Sequence, residues 1–190
     1  VLMETPLLSV LRQRDALSAE EVSIVEGFGK ATKEVPAKRD VVAQGECPEY
    51  SCLLLSGIAA RYNILGDGSR QISAIHFPGD FVDLHSLFLT EMDHSVTALS
   101  DCRIATVPHD HLRDITAKHP HLARLLWTLT VIDAAIFRQW LVAAGRRSVE
   151  GHVAHLLCEF WTRLEVVGRV EGYSFQLPLN QTDLSDAMGL

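Results

Sequence analysis

The sequence predicts an α+β protein: a β-roll, then one long helix, then the first part of a helix-turn-helix. Three observations predict it. Short strand-like runs punctuated by Gly, Pro and Asp recur from residue 31 to about 107. A helical period takes over near residue 109 and continues to about 144. A capped amphipathic segment followed by glycine occupies residues 180–189.

The elements follow in chain order. Ser18 and Glu21 fit a capping box, with Leu17 placed to staple onto Val22; Val22, Val25 and Phe28 share a face, so a helix is expected at about 19–28. Strand character is read at Asp40–Val42, Cys52–Leu55, Ile58–Ile64, Gln71–Phe77, Ser95–Leu99 and Arg103–Val107. Gly66-Asp67-Gly68 supplies a hairpin turn, because glycine tolerates positive φ. Asp83–Leu89 is bulky and apolar and reads as a short helical insert. Asp110–Lys118 forms a short helix, and Pro120 opens a long one to about Ala144, proline being tolerated in a first turn.

On that long helix, Leu122, Leu125, Leu129, Ile132 and Ile136 step by three and four. Leu126, Ala134, Phe137 and Leu141, with Trp127 and Trp140 nearby, make a second stripe. One core covers one stripe. The other is expected to meet a second copy of the chain across a two-fold axis, with the Leu122–Ile136 seam as the interface. Gly145-Arg146-Arg147 marks a boundary, so the chain divides into 1–118, 119–145 and 146–190. Ser148–Val167 is a further helix, Tyr173–Leu177 alternates like an edge strand, and Asn180 caps a last helix with Asp183 at its third position.

Composition bounds the rest. The chain has 190 residues, 47% of them hydrophobic and 22% charged, which suffices for a buried core. A formal charge of −7 speaks against non-specific nucleic-acid binding. Uninterrupted apolar runs stop short of ~20 residues, so no membrane span or membrane partner is expected. Val1–Ser9 carries no basic leader, so no export signal is read. Cys47, Cys52, Cys102 and Cys158 contain no CxxC pair and are expected to be reduced structural thiols in a cytoplasm.

In this order, "QGECPEYSCLLLSGIAARYNILGDGSRQISAIHFPGDFV", "HPHLARLLWTLTVIDAAIFRQWLVAAGRR" and "SVEGHVAHLLCEFW" resemble the β-roll, dimerisation helix and first winged-module helix of the bacterial Crp/Fnr transcription regulators. The resemblance covers nearly the whole chain. It implies a cyclic-nucleotide-binding-like β-roll, or double-stranded β-helix, and a winged helix-turn-helix. It also implies a homodimer that binds a palindromic operator and contacts RNA polymerase. Cyclic-nucleotide members follow the Gly79-Asp80-Phe81 turn with Gly-Glu and, later, Arg-Ser-Ala. Here those positions read Asp83-Leu84 and His94-Ser95-Val96. Leu84 cannot accept from a ribose hydroxyl, and His94 does not replace a fixed bidentate cation. The degenerate effector pocket is therefore expected at Asp83, Leu84, His85, His94 and Ser95, without cyclic AMP. The oxygen-sensing branch holds iron–sulfur with N-terminal cysteines, and residues 1–46 contain none.

No catalytic constellation stands out, and no metal ligands are assigned. The pairs His109/His111, His119/His121 and His152/His155 read as loop and helix-end residues. A cupin-type metal enzyme needs a His-x-His with a following Glu inside barrel strands, and His109-x-His111 lacks it. From residue 145, four arginines face six acidic residues, a balance of −2 that is no DNA-binding surface. The base-reading second helix lies outside the sequence. The expectation is that the chain continues, because a motif cut at its turn would leave Leu184 and Met188 partly uncovered. Asn180, Gln181 and Thr182 are then candidates for phosphate-backbone contacts. The alternative from another class is a small-ligand sensor or interaction module without DNA binding.

Overall fold

The computed structural model describes residues 5–190. It opens with a helix the sequence reading left out, α1 (Pro6–Arg12), whose Leu7, Leu8 and Leu11 are buried. The signal was present: proline at N1 and leucines spaced for one helix face. Next comes α2 (Ala19–Gly27), with both halves of the Ser18–Glu21 capping box formed.

The roll is built from seven strands: β1 (Thr32–Val35), β2 (Asp40–Val42), β3 (Tyr50–Ser56), β4 (Ala59–Ile64), β5 (Arg70–His76), β6 (Ser95–Ala98) and β7 (Cys102–Pro108). β1 was not anticipated; three of its four residues are wet or half-wet, so its apolar alternation is weak. All pairings are antiparallel, in a three-stranded sheet β1-β7-β3 and a four-stranded sheet β2-β6-β4-β5. The expected helical insert is a 3-10 turn at Leu84–Leu87. Gly57 has φ +89, and a Cβ there would strike the Asp101 carbonyl and Cys102, so the β3–β4 turn admits only glycine.

Helices α3 (His109–Lys118), α4 (Pro120–Arg146) and α5 (Val149–Val166) follow. A two-residue-per-strand hairpin, β8 (Val170–Glu171) and β9 (Ser174–Phe175), is shorter than the edge strand expected at 173–177. Helix α6 (Gln181–Met188) carries the expected cap: the Asn180 side chain accepts from the Asp183 N–H, and Asp183 accepts from the Asn180 N–H. Gly189 ends it at φ 72.

Three apolar clusters hold these parts together. The first joins α1, α2 and α3 to Leu122, Leu125 and Leu126 of α4, with Leu129 half-buried beside them. The second fills the roll, around Leu54, Val82, Val96 and Ile104. The third unites Ile72, Ile75 and Phe77 of the roll with Trp140 of α4, Leu156 and Phe160 of α5, and Ala187 and Met188 of α6.

These clusters correct two expectations. Leu122 and Leu125 are sealed inside the protomer, so that end of the Leu122–Ile136 seam faces the chain's own roll and short helices, while Leu129, Ile132 and Ile136 are half-buried. The second stripe divides: Leu126 and Trp140 are buried, whereas Trp127 and Leu141, with Val131 between them, are 58%, 66% and 57% exposed. Met188, expected to be uncovered, is buried on the roll, because Arg70 on β5 clamps Asp183 and Asp186 at 2.7 Å each and draws α6 down. By length and composition α4 is apolar enough to cross a bilayer, with mean hydropathy 1.4 in its most apolar 18-residue window. Counting only unbroken apolar runs missed this, since Thr128, Thr130, Asp133 and Gln139 interrupt them.

Candidate functional site

A cavity of about 520 Å³ lies between the four-stranded sheet and α4. Its floor is the segment after the Gly79-Asp80-Phe81 turn, and its wall is the α4 stretch Leu129–Phe137. Position alone selects these residues: the turn returns the chain along β3, where the Val82 N–H donates to the Cys52 carbonyl, and α4 is pinned across the opening by Arg61 of β4, whose guanidinium donates to Asp133 at 2.5 Å. Burial pushes the Asp133 carboxyl up, but Arg61 outweighs it and holds the group below its ordinary value.

Of the five expected cassette residues, Leu84, His85 and His94 line the cavity. Asp83 and Ser95 do not. Asp83 points under β3, fully buried, and accepts the Cys52 N–H at 2.5 Å. Burial raises its carboxyl to about 7, so the group is costly to ionise and serves the roll rather than a ligand. Ser95 accepts the Gln44 N–H at 2.9 Å, which tethers the loop after β2. The pattern of one residue in and the next out along a strand explains the split: His94 faces the cavity, so its neighbour cannot.

His85 and His94 lie with ring centroids 5.0 Å apart and their planes tilted by 43°, and Asp93 Oδ1 lies 2.7 Å from His94 Nδ1. Nε2 of both histidines is buried without a hydrogen-bond partner. One ligand-capable atom from each of His85, Asp93 and His94 lies within 4.8 Å of the other two. Desolvation chiefly, then the Arg61 charge, lowers His94 to about 4; desolvation likewise lowers His85. Both rings are therefore neutral at pH 7. Sequence reasoning named both histidines as cassette residues but missed Asp93 and Arg61, because no motif links them; the roll's turns bring them together.

A second node ties the Gly79-Asp80 turn to α5. Arg163 bonds Asp80, donates to Glu159 at 3.0 Å and to the Ile75 carbonyl at 2.8 Å, and lies 5.0 Å from the Phe77 ring centroid. Burial pushes the Asp80 carboxyl up, but the Arg163 charge prevails and holds it low.

The other expected groups fall as follows. His109 is buried between the Ser51 and Ser86 hydroxyls at 3.2 and 3.1 Å, and His121 lies 2.7 Å from Glu21. Cys52 and Cys102 are buried, and burial raises the Cys102 thiol to about 11. Cys47 and Cys158 are exposed, so the expectation of four buried structural thiols holds for two. Asn180 spends its side-chain oxygen on its own helix; Gln181 and Thr182 are exposed.

The profile of the cyclic nucleotide-binding domain matches residues 32–119, the strands and turns that build this cavity. A probable transcriptional activator of Rhizobium leguminosarum bv. viciae is 30% identical over 160 residues, 83% of this chain and 65% of that protein. The transcriptional activator protein FnrL of Cereibacter sphaeroides is 25% identical over 175 residues, 90% of this chain and 69% of its own. The solved structure of FixK2 from Bradyrhizobium japonicum superposes with a TM-score of 0.75 at 25% identity, covering 84% of this chain and 77% of that one. The chain belongs to the Crp/Fnr family. It spans about two thirds of the length of these curated relatives. Within this Crp/Fnr protein, Leu84 and His94 line the cavity, so the pocket presents an apolar side chain and a neutral imidazole there.

Proposed function

We propose that this Crp/Fnr protein acts as a homodimeric, cytoplasmic transcription regulator that binds an operator and engages RNA polymerase, and that it is not an enzyme. The observation that carries the dimer is the unpartnered stripe of α4: Trp127, Val131, Ala134 and Leu141 recur at four, three and seven residues, the spacing of a coiled-coil seam. Phe88 stacks on Trp127 at 5.5 Å and widens that stripe at its roll end. A contiguous apolar face on a helix already packed along its other side is covered best by its own two-fold mate. The relatives' names support the regulatory half of the reading.

Cyclic AMP is not the effector, because neither polar anchor is present. Gln181 and Thr182, exposed at the α6 N-terminus, remain the candidates for phosphate contacts. A second reading, a sensor that does not bind DNA, is favoured by one feature: Asp183 and Asp186 are held against the roll by Arg70. Footprinting of the complete gene product on genomic fragments tests the pair. A protected palindrome supports the regulator; no protection on any fragment by a dimeric protein transfers the case to the sensor.

A further inference from the structure

We propose that His85, His94 and Asp93 form a site for one first-row divalent metal ion of the zinc class at the floor of the α4 cavity. The site stands independently of the regulatory reading.

The motivating oddity is a pair of orphans. Nε2 of His94 and Nε2 of His85 are both buried without any hydrogen-bond partner, although the two ring centroids are only 5.0 Å apart. A buried, unpaired imidazole nitrogen costs free energy unless something takes its lone pair. A ligand-capable atom of each ring lies within 4.8 Å of one on the other, and a cation held between them removes the penalty. The carboxylate completes the set. Without an ion Asp93 is bound to His94 Nδ1, which leaves Nε2 of that ring free; to enter the shell the carboxylate gives up this bond and swings to the ion.

Electrostatics agree. The charged groups around the cluster are Arg61, Asp133 and Asp93, with His76 further off. Arg61 is consumed by Asp133, so the balance left facing a cation is the Asp93 carboxylate. Two nitrogens on one tetrahedral zinc at about 2.05 Å lie about 3.3 Å apart. The present spread, up to 4.8 Å, has to close by reorientation of the Asp93 side chain towards the two rings. The mobile partner is Asp93, 76% exposed on the turn before β6, while His94 is held by its surroundings. Imidazole and carboxylate donors suit zinc and its first-row neighbours rather than calcium or magnesium. Three protein ligands leave a fourth position, which opens into the cavity, so a small anion or water would complete the shell there.

The test is titration of the full chain with Zn²⁺, read by equilibrium dialysis, and with Co²⁺, read by its visible ligand-field bands. One ion per chain is expected. His85→Gln and His94→Gln should each weaken binding at least ~100-fold and abolish the tetrahedral Co²⁺ bands, and Asp93→Asn should weaken it ~10-fold or more. His119→Gln, on the helix-boundary pair, should leave both readouts unchanged. Circular dichroism checks that each variant folds; His85→Gln, at a half-buried position, decides if His94→Gln does not. No zinc binding to wild type up to millimolar metal overturns the proposal. So does binding that survives both histidine variants, which would put the ion elsewhere. DNA binding is scored separately, so failure there leaves this result standing.

Discussion

Replacing Arg163 by Met should cost the fold about 3 kcal/mol. Arg163 joins Asp80, Glu159 and the Ile75 carbonyl, and it overlies Phe77. Methionine keeps the apolar stem and its packing but leaves Asp80 without a cation. Breaking one side of a buried pair costs about 3–5 kcal/mol. Here the side chains of Arg163 and Asp80 are 20% and 24% exposed, which places the loss at the lower end of that range. Urea unfolding, followed by tryptophan fluorescence and by circular dichroism, reads it directly; with a slope of about 2 kcal/mol per M, the midpoint should fall by about 1.5 M. A cycle with Asp80→Asn should return a coupling of about 1–2 kcal/mol. The pH dependence gives a second readout. Arg163 holds the folded Asp80 carboxyl below its unfolded value, so the pair contributes stability above about pH 4 and loses it as pH falls through the folded value. Between about pH 5 and 3 the wild type should weaken more steeply than Arg163→Met. A loss under 1 kcal/mol, or identical acid profiles, would refute the role assigned to this node.

Two further substitutions test how α4 is used. Leu141→Asp should convert the dimer to monomer in sedimentation while leaving the monomer folded, whereas Leu129→Asp should lower protomer stability by about 2–4 kcal/mol, because it sets a carboxylate into the first apolar cluster. The reverse pattern would restore the Leu122–Ile136 seam as the interface. Arg61→Met should raise the Asp133 carboxyl towards or above its ordinary value and cost about 1–2 kcal/mol, the discount reflecting that Asp133 is about a third exposed. NMR titration of the Asp133 carboxyl checks it, and an unmoved value would show that Arg61 does not govern the group.

The elements with strong local signals were legible in the sequence. The Ser18 capping box, the Gly66-Asp67-Gly68 turn, proline at the head of α4 and Asn180 at the head of α6 each encode their own geometry within three or four residues. Strands β2 to β7 were legible to within two residues for the same reason, whereas β1 and β8 were not. What failed was long-range. Two apolar stripes on α4 look alike in the sequence, and only docking on α1 and the roll decides that Leu122 is inside and Val131 outside. The cavity shows the same limit. Leu84 and His94 were found by position in a cassette, but Asp93 and Arg61 take their places through turns that bring β4 and the loop before β6 together. Arg70, which captures α6, sits more than a hundred residues from its partners.

The third apolar cluster carries a further consequence. Phe77 from the roll and Phe160 from α5 meet edge to face at 5.3 Å, with Trp140 and Met188 closing around them. Cleaving the polypeptide at the arginine pair before Ser148 would not liberate two self-sufficient halves; it would strip each of a shared wall and leave Ile72, Ile75 and Phe77 to the solvent. Heat or urea should therefore melt reader and receiver in one step, although the sequence suggests a seam between them.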